Sequence, residues 1–159
     1  MVAVTLSDVA PAKNRTVVHL NEFNQIQDSR YNAAAVWLNP QTIRAEHSVV
    51  VTSNVINTIA DNSQGNFQYG VVVLDTDGAL IANNEFAGSN HVSVYGGSSV
   101  FNDNTTSTSI TGNNFGSVMS SIECDVFLDQ YTISSVVGPG QQAYLCDDGR
   151  DSLVSYDQF

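Results

Sequence analysis

The sequence predicts an all-β solenoid, a parallel β-helix of about four to five coils. Three observations carry this expectation. A motif of the form [VI]-x-x-N-x-[FI] recurs as VHLNEF, VTSNVI, IANNEF and ITGNNF. Its last residues, the anchors Phe23, Ile56, Phe86 and Phe115, are separated by 33, 30 and 29 residues. Val, Ile and Thr are abundant, whereas there is a single lysine, Lys13, and few Leu or Glu, a balance that favours strands over helices.

Each position of the motif has a physical reason. Val18, Val51, Ile81 and Ile110, five residues before the anchors, are β-branched and point inward near the end of one strand. Asn21, Asn54, Asn84 and Asn113 stand two residues before the anchors. Asparagine tolerates the left-handed backbone of a tight bend. Stacked coils place equivalent asparagines about 4.8 Å apart, close enough for their amides to bond in a ladder. One residue type is therefore expected to make both the bend and the ladder. The anchor then points inward on the next strand.

A second apolar element follows each anchor, at residues 35–38, 70–74, 92–95 and 126–128. The gap before it varies, over 27–32, 61–68, 88–91 and 116–124. Constant strands separated by variable loops are the mark of a solenoid. A β-sandwich or jelly roll is the rival, since it also has short strands, but it has no need of the asparagine register.

The length of 159 residues fits a single domain, 1–159. Within it, 1–15 reads as an N-terminal edge or partial cap, with a partial strand over 2–6. Residues 16–128 carry the repeats, and 129–159 supply a last coil and a C-terminal cap. Strands are expected over 131–137 and 143–146, joined by the turn Gly138-Pro139-Gly140. Cys124 and Cys146, the two cysteines, lie near the ends of apolar runs. Buried thiols and a disulfide are both open, and no CxxC or His/Cys cluster points to zinc.

The repeat resembles that of the right-handed parallel β-helix family, which includes pectate lyases, polygalacturonases, alginate epimerases, copper-maturation proteins and phage tailspikes. The resemblance covers residues 16–128 and extends toward Cys146. It implies a right-handed coil and an extended face for a polysaccharide or surface glycan, and tailspike-like chains imply a homo-oligomer. It is nearly silent on chemistry, because function lives in the site and not in the fold.

Charge narrows the partners. Five basic residues against sixteen acidic ones leave a formal charge of −11. Nucleic acid is not expected, since phosphate binding needs a basic patch. Anionic membrane is not expected for the same reason. No apolar run approaches the roughly twenty residues of a membrane span, and no signal peptide is visible in 1–15. The Asn-rich, acidic composition points to an extracellular, cell-surface or virion setting, with the cytoplasm as the alternative.

The enzymes of the family supply templates to test. Lyases of the pectate type need a basic residue, but Arg15, Arg30, Arg44 and Arg150 occupy different positions relative to the anchors. Inverting glycosidases need two carboxyl groups about 6.5–9.5 Å apart across the scissile bond. The only Asp-Asp pair is Asp147-Asp148, a catalytic candidate that reads equally as a polar turn outside the clear repeat. His19, His47 and His91 fall at three different positions in the coil, which argues against a stacked metal site. Asp75 and Asp77, in Asp75-Thr76-Asp77-Gly78, are the calcium candidates, although the same four residues suit a type I turn. Otherwise no cofactor is expected. The run TTSTSIT at 105–111 does not make an ice-binding face, because its counterparts Val50 and Leu80 are apolar.

Binding remains as the leading expectation, ahead of a polysaccharide hydrolase or lyase and of a structural scaffold. Glycan sites combine aromatic platforms with amide and carboxylate hydrogen-bonders. Tyr31, Trp37, Phe67, Tyr69 and Tyr95 are the aromatic residues near strand ends and variable loops. Trp37 is expected in the core, and Tyr31, Phe67 and Tyr69 form the preferred ligand-binding surface.

Overall fold

A computed structural model describes residues 2–6, 16–26, 33–38, 49–59, 68–74, 76, 78–89, 92–97, 105–106, 108–115, 124–130, 132–133, 136–138, 145–148 and 153–154. Among them every regular element is a strand. The chain enters through β1 (Val2–Leu6). Three strands then recur in order: β2 (Thr16–His19), β3 (Glu22–Ile26) and β4 (Ala33–Leu38), then β5 (Val49–Thr52), β6 (Val55–Ile59) and β7 (Gln68–Leu74). The third round is β8 (Leu80–Ala82), β9 (Glu85–Ser89) and β10 (Val92–Gly97). The fourth adds a short strand, β11 (Thr105–Thr106), before β12 (Ser109–Thr111), β13 (Asn114–Phe115) and β14 (Cys124–Leu128). Within the predicted strand over 131–137 lie β15 (Thr132–Ile133) and β16 (Val136–Val137). They are followed by β17 (Leu145–Asp147) and β18 (Leu153–Val154).

Each strand pairs with the one a repeat away, and all pairings are parallel. Sheet 1 has the order β1-β4-β7-β10-β14-β17, sheet 2 the order β2-β5-β8-β12-β16-β18, and sheet 3 the order β3-β6-β9-β13. β11 and β15 pair as a separate ribbon. The chain is thus all-β with parallel sheets, which is compatible with the expected parallel β-helix. A jelly roll, whose strands pair antiparallel, is not favoured.

The core follows from the motif. Val18, Val51, Ile81 and Ile110 stand in register in sheet 2. Phe23, Ile56, Phe86 and Phe115 do so in sheet 3, and Val36, Val71, Val94 and Val126 in sheet 1. All twelve are buried in one cluster. Burial of apolar surface, worth about 25 cal/mol per Å², is therefore delivered by like residues stacked on like.

The bend corrects the expectation for asparagine. The left-handed backbone falls one residue earlier, on Leu20 (φ 54°), Ser53 (φ 55°), Asn83 (φ 54°) and Gly112 (φ 63°). The ladder asparagines do not make the turn; they seal it. Leucine is poorly suited to this conformation, and Leu20 is 74% exposed, so no packing compensates. Leu20→Gly is expected to raise stability by about 0.5–1 kcal/mol. Relief of about 1–2 kcal/mol of strain outweighs the roughly 0.5–1 kcal/mol that glycine loses in ordering. An unchanged or lower urea midpoint would refute this account of the corner.

The seal is a repeated hydrogen-bond pattern. Asn54 Oδ1 accepts from the backbone N–H of Asn21 at 3.0 Å and from its Nδ2 at 3.0 Å. Asn84 Oδ1 accepts the same pair from Asn54, at 3.0 and 2.9 Å, and Asn113 Oδ1 from Asn84, at 2.9 and 3.0 Å. In the other direction, Nδ2 of Asn54, Asn84 and Asn113 donates to the carbonyls of Val18, Val51 and Ile81. Backbone bonds run alongside, from Val55 N to Asn21 O, Glu85 N to Asn54 O and Asn114 N to Asn84 O. At the corner the side chain of one repeat thus accepts the N–H that the sheets leave unpaired. Asn54, Asn84 and Asn113 are each 1% exposed, so water cannot do this work in their place.

Candidate functional site

Sheet 1 buries side chains on both faces. Val71, Val73, Val94 and Val126 enter the main core. Ala34, Val72 and Leu74 form a second buried cluster, against which Trp37, Tyr69 and Tyr95 pack. Two clusters served by alternating residues of one strand must lie on opposite faces. The second cluster is therefore on the outer face.

An aromatic row runs along that outer face. Trp37, Val72, Tyr95, Phe127 and Cys146 occupy one register position in successive strands. The rings of Tyr95 and Phe127 stack at 5.6 Å between centroids and 8° between planes. Tyr69 leans on Tyr95 from the preceding repeat, at 5.5 Å and a tilt of 55°. All four aromatic residues are half-buried. Tyr95 and Phe127 cover one face of each other, so the column offers a ligand ring edges, and Tyr69 breaks its regularity.

The row has a polar partner. Tyr95 Oη donates to Asp129 Oδ2 at 3.0 Å, and Asp129 is held in place by its own N–H on Gly96 O at 3.0 Å. Burial, and secondly the Asp129 carboxylate, push the Tyr95 hydroxyl far above the usual phenol range. Burial also raises Tyr69. Both hydroxyls therefore keep their protons at neutral pH. The arrangement can hold an apolar ring surface and hydrogen-bond a polar rim.

The candidates from the sequence fare unevenly. Tyr69 is in the row. Tyr31 and Phe67, its proposed companions, lie outside the described residues, as do Asp75 and Asp77. Between the latter two, Thr76 is fully buried and its hydroxyl donates to Leu74 O at 2.7 Å, ahead of Gly78 with φ 77°. Asp147 stands opposite Leu128 in β17, with its side chain outside the described set. Asp148 is exposed, and its N–H donates to Leu128 O at 2.8 Å. Trp37, expected in the core, instead packs on the outer cluster. His19 is exposed with Nδ1 3.1 Å from Thr52 O; His47 and His91 and the four arginines are outside the described residues. Among the described residues no three His, Cys, Asp or Glu side chains converge. No helix there is long and apolar enough to cross a membrane.

Phe127 and Asp129 were not singled out from the sequence. The signal was present: Val36-Trp37-Leu38, Val71-Val72-Val73, Val94-Tyr95-Gly96 and Val126-Phe127-Leu128 align as a valine followed by a large outward residue. Cys146, at the end of the row, is disulfide-bonded. Of the two options open from the sequence, this is the bridge for Cys146; the side chain of Cys124 lies outside the described residues.

Compared with protein-family models, curated proteins and solved structures, the chain matches none. The resemblance to β-helix proteins therefore rests on the repeat and its parallel register.

Proposed function

We propose that the chain is a right-handed parallel β-helix module that recognises carbohydrate at a cell or virion surface without cleaving it. The observation that carries this reading is the half-buried aromatic row on the outer face of sheet 1, with the Asp129 carboxylate beside Tyr95. Sugars present C–H surfaces that pack on aromatic side chains and hydroxyls that donate to carboxylates. Oriented polar groups set in a mostly apolar surface are what such sites require. A disulfide at Cys146 suits an oxidising, extracellular compartment. Right-handedness follows the strong preference of parallel crossover connections. Calcium has no part in this reading.

The test is a glycan array run beside a reducing-sugar assay on the same polysaccharides. Binding without product release is expected. Asp129→Asn should weaken binding about tenfold, the loss of one charge-assisted hydrogen bond of about 1.5 kcal/mol, with an unchanged melting curve. Release of reducing ends would replace this reading with a hydrolase or lyase. Neither binding nor release would leave a structural scaffold.

A further inference from the structure

The hydrogen bond between Tyr95 and Asp129 fixes what this pair offers a third group. A phenol carries one proton and an ionised carboxylate none. Tyr95 Oη donates its proton to Asp129 Oδ2 at 3.0 Å. Both side chains keep only oxygen lone pairs for a ligand. The pair therefore accepts hydrogen bonds and gives none.

The surroundings hold it in that state. The Tyr95 ring stacks on Phe127 of the following repeat at 5.6 Å and meets Tyr69 of the preceding one at 5.5 Å. The Asp129 N–H donates to the carbonyl of Gly96, the residue after Tyr95, at 3.0 Å. To donate to a ligand instead, the hydroxyl would have to give up a charge-assisted bond, roughly twice as strong as one between neutral groups. Burial, and secondly the carboxylate, keep the proton on the phenol.

The charge of the whole chain works in the same direction. Sixteen acidic residues against five basic ones give a formal charge of −11, which repels a polyanion before contact. At the pair itself, an anionic group of a ligand would lose hydration and meet only acceptors, an uncompensated loss.

We infer that Tyr95 and Asp129 form a specificity element that selects glycans by their hydrogen-bond donors. It takes sugar units that donate and bear no anion, and it turns away units that carry a carboxylate or a sulfate. This rests on the carbohydrate reading above and narrows it to a substrate class.

The experiment begins with a glycan array of neutral, amino, uronate and sulfated sugars. The strongest-binding neutral glycan is then oxidised at its primary hydroxyls to carboxylates. Both forms are titrated into the full chain by calorimetry at about 1 M salt, where charges are screened beyond about 3 Å and the long-range field is removed. The oxidised form is expected to bind at least about tenfold more weakly. Asp129→Asn brings an amide donor to the pair and barely alters the net charge. In that variant the ratio between the two forms is expected to fall toward unity, with an unchanged melting curve. Strongest array signals from uronate or sulfated glycans, equal binding of the oxidised form, or a ratio that Asp129→Asn leaves unchanged would overturn the inference and leave the carbohydrate reading standing. Binding to no glycan of the array would overturn both.

Discussion

Asn84→Leu is expected to cost about 2–6 kcal/mol, a large part of the roughly 5–15 kcal/mol that holds a typical domain together. The substitution orphans two buried groups. The Asn54 N–H loses its acceptor at 3.0 Å, and the Val51 carbonyl loses the Nδ2 donor at 3.0 Å. Each buried polar group left without a partner costs about 1–3 kcal/mol. Asn113 Oδ1 keeps one of its two donors, the backbone N–H of Asn84, so the damage stays at one corner. Asn21→Leu is the matched control. Asn21 is exposed, and its loss should cost under about 1 kcal/mol, since water replaces what is removed. Urea denaturation of both variants separates them. Equal costs, or a near-wild-type Asn84→Leu, would mean that the ladder is incidental to stability.

Phe86→Ala is the second large effect, expected at about 3–5 kcal/mol. Phe86 is fully buried. It stacks on Phe115 at 5.3 Å between centroids and 7° between planes, and Ile56 lies on its other side in register. Its neighbours are fixed by strands on both sides and cannot collapse into the space. Phe86→Leu retains most of the volume and should cost roughly half as much or less. A small loss for the alanine variant in the same denaturation experiment would show a core that repacks. That outcome would contradict the rigid register seen for the anchor row.

What was legible in the sequence was what the stacking makes periodic. Anchors, β-branched residues and asparagines recur at near-constant spacing because parallel strands paired one repeat apart bring each back to the same register. β1 was legible for a simpler reason, a short run of alternating apolar residues over 2–6. The aromatic row was harder to read because loops of different length separate it from the anchors. Trp37 lies 14 residues after Phe23, but Tyr95 only 9 after Phe86 and Phe127 12 after Phe115. Counting from the anchors scatters the row, whereas counting within the strand aligns it. The bend was misplaced because Leu20, Ser53, Asn83 and Gly112 share no chemistry. Only Asn83 and Gly112 favour a left-handed backbone by themselves. The recurring feature of the corner is the hydrogen-bond partner next to the bend, so the periodic signal lies on the asparagine and not on the residue that turns.

The corner ladder also bears on how such a chain changes size. Every interior repeat receives from its predecessor the same two donors that it passes to its successor, and returns one amide hydrogen by the same route. A joint whose two halves match in this way carries no record of its position. Excision or duplication of one whole repeat between equivalent asparagines would rebuild the same bonds at the splice, while any other length would break them. The energy of the fold therefore sets the increment by which the chain can grow or shrink, about thirty residues, and leaves the number of increments free for other demands to choose.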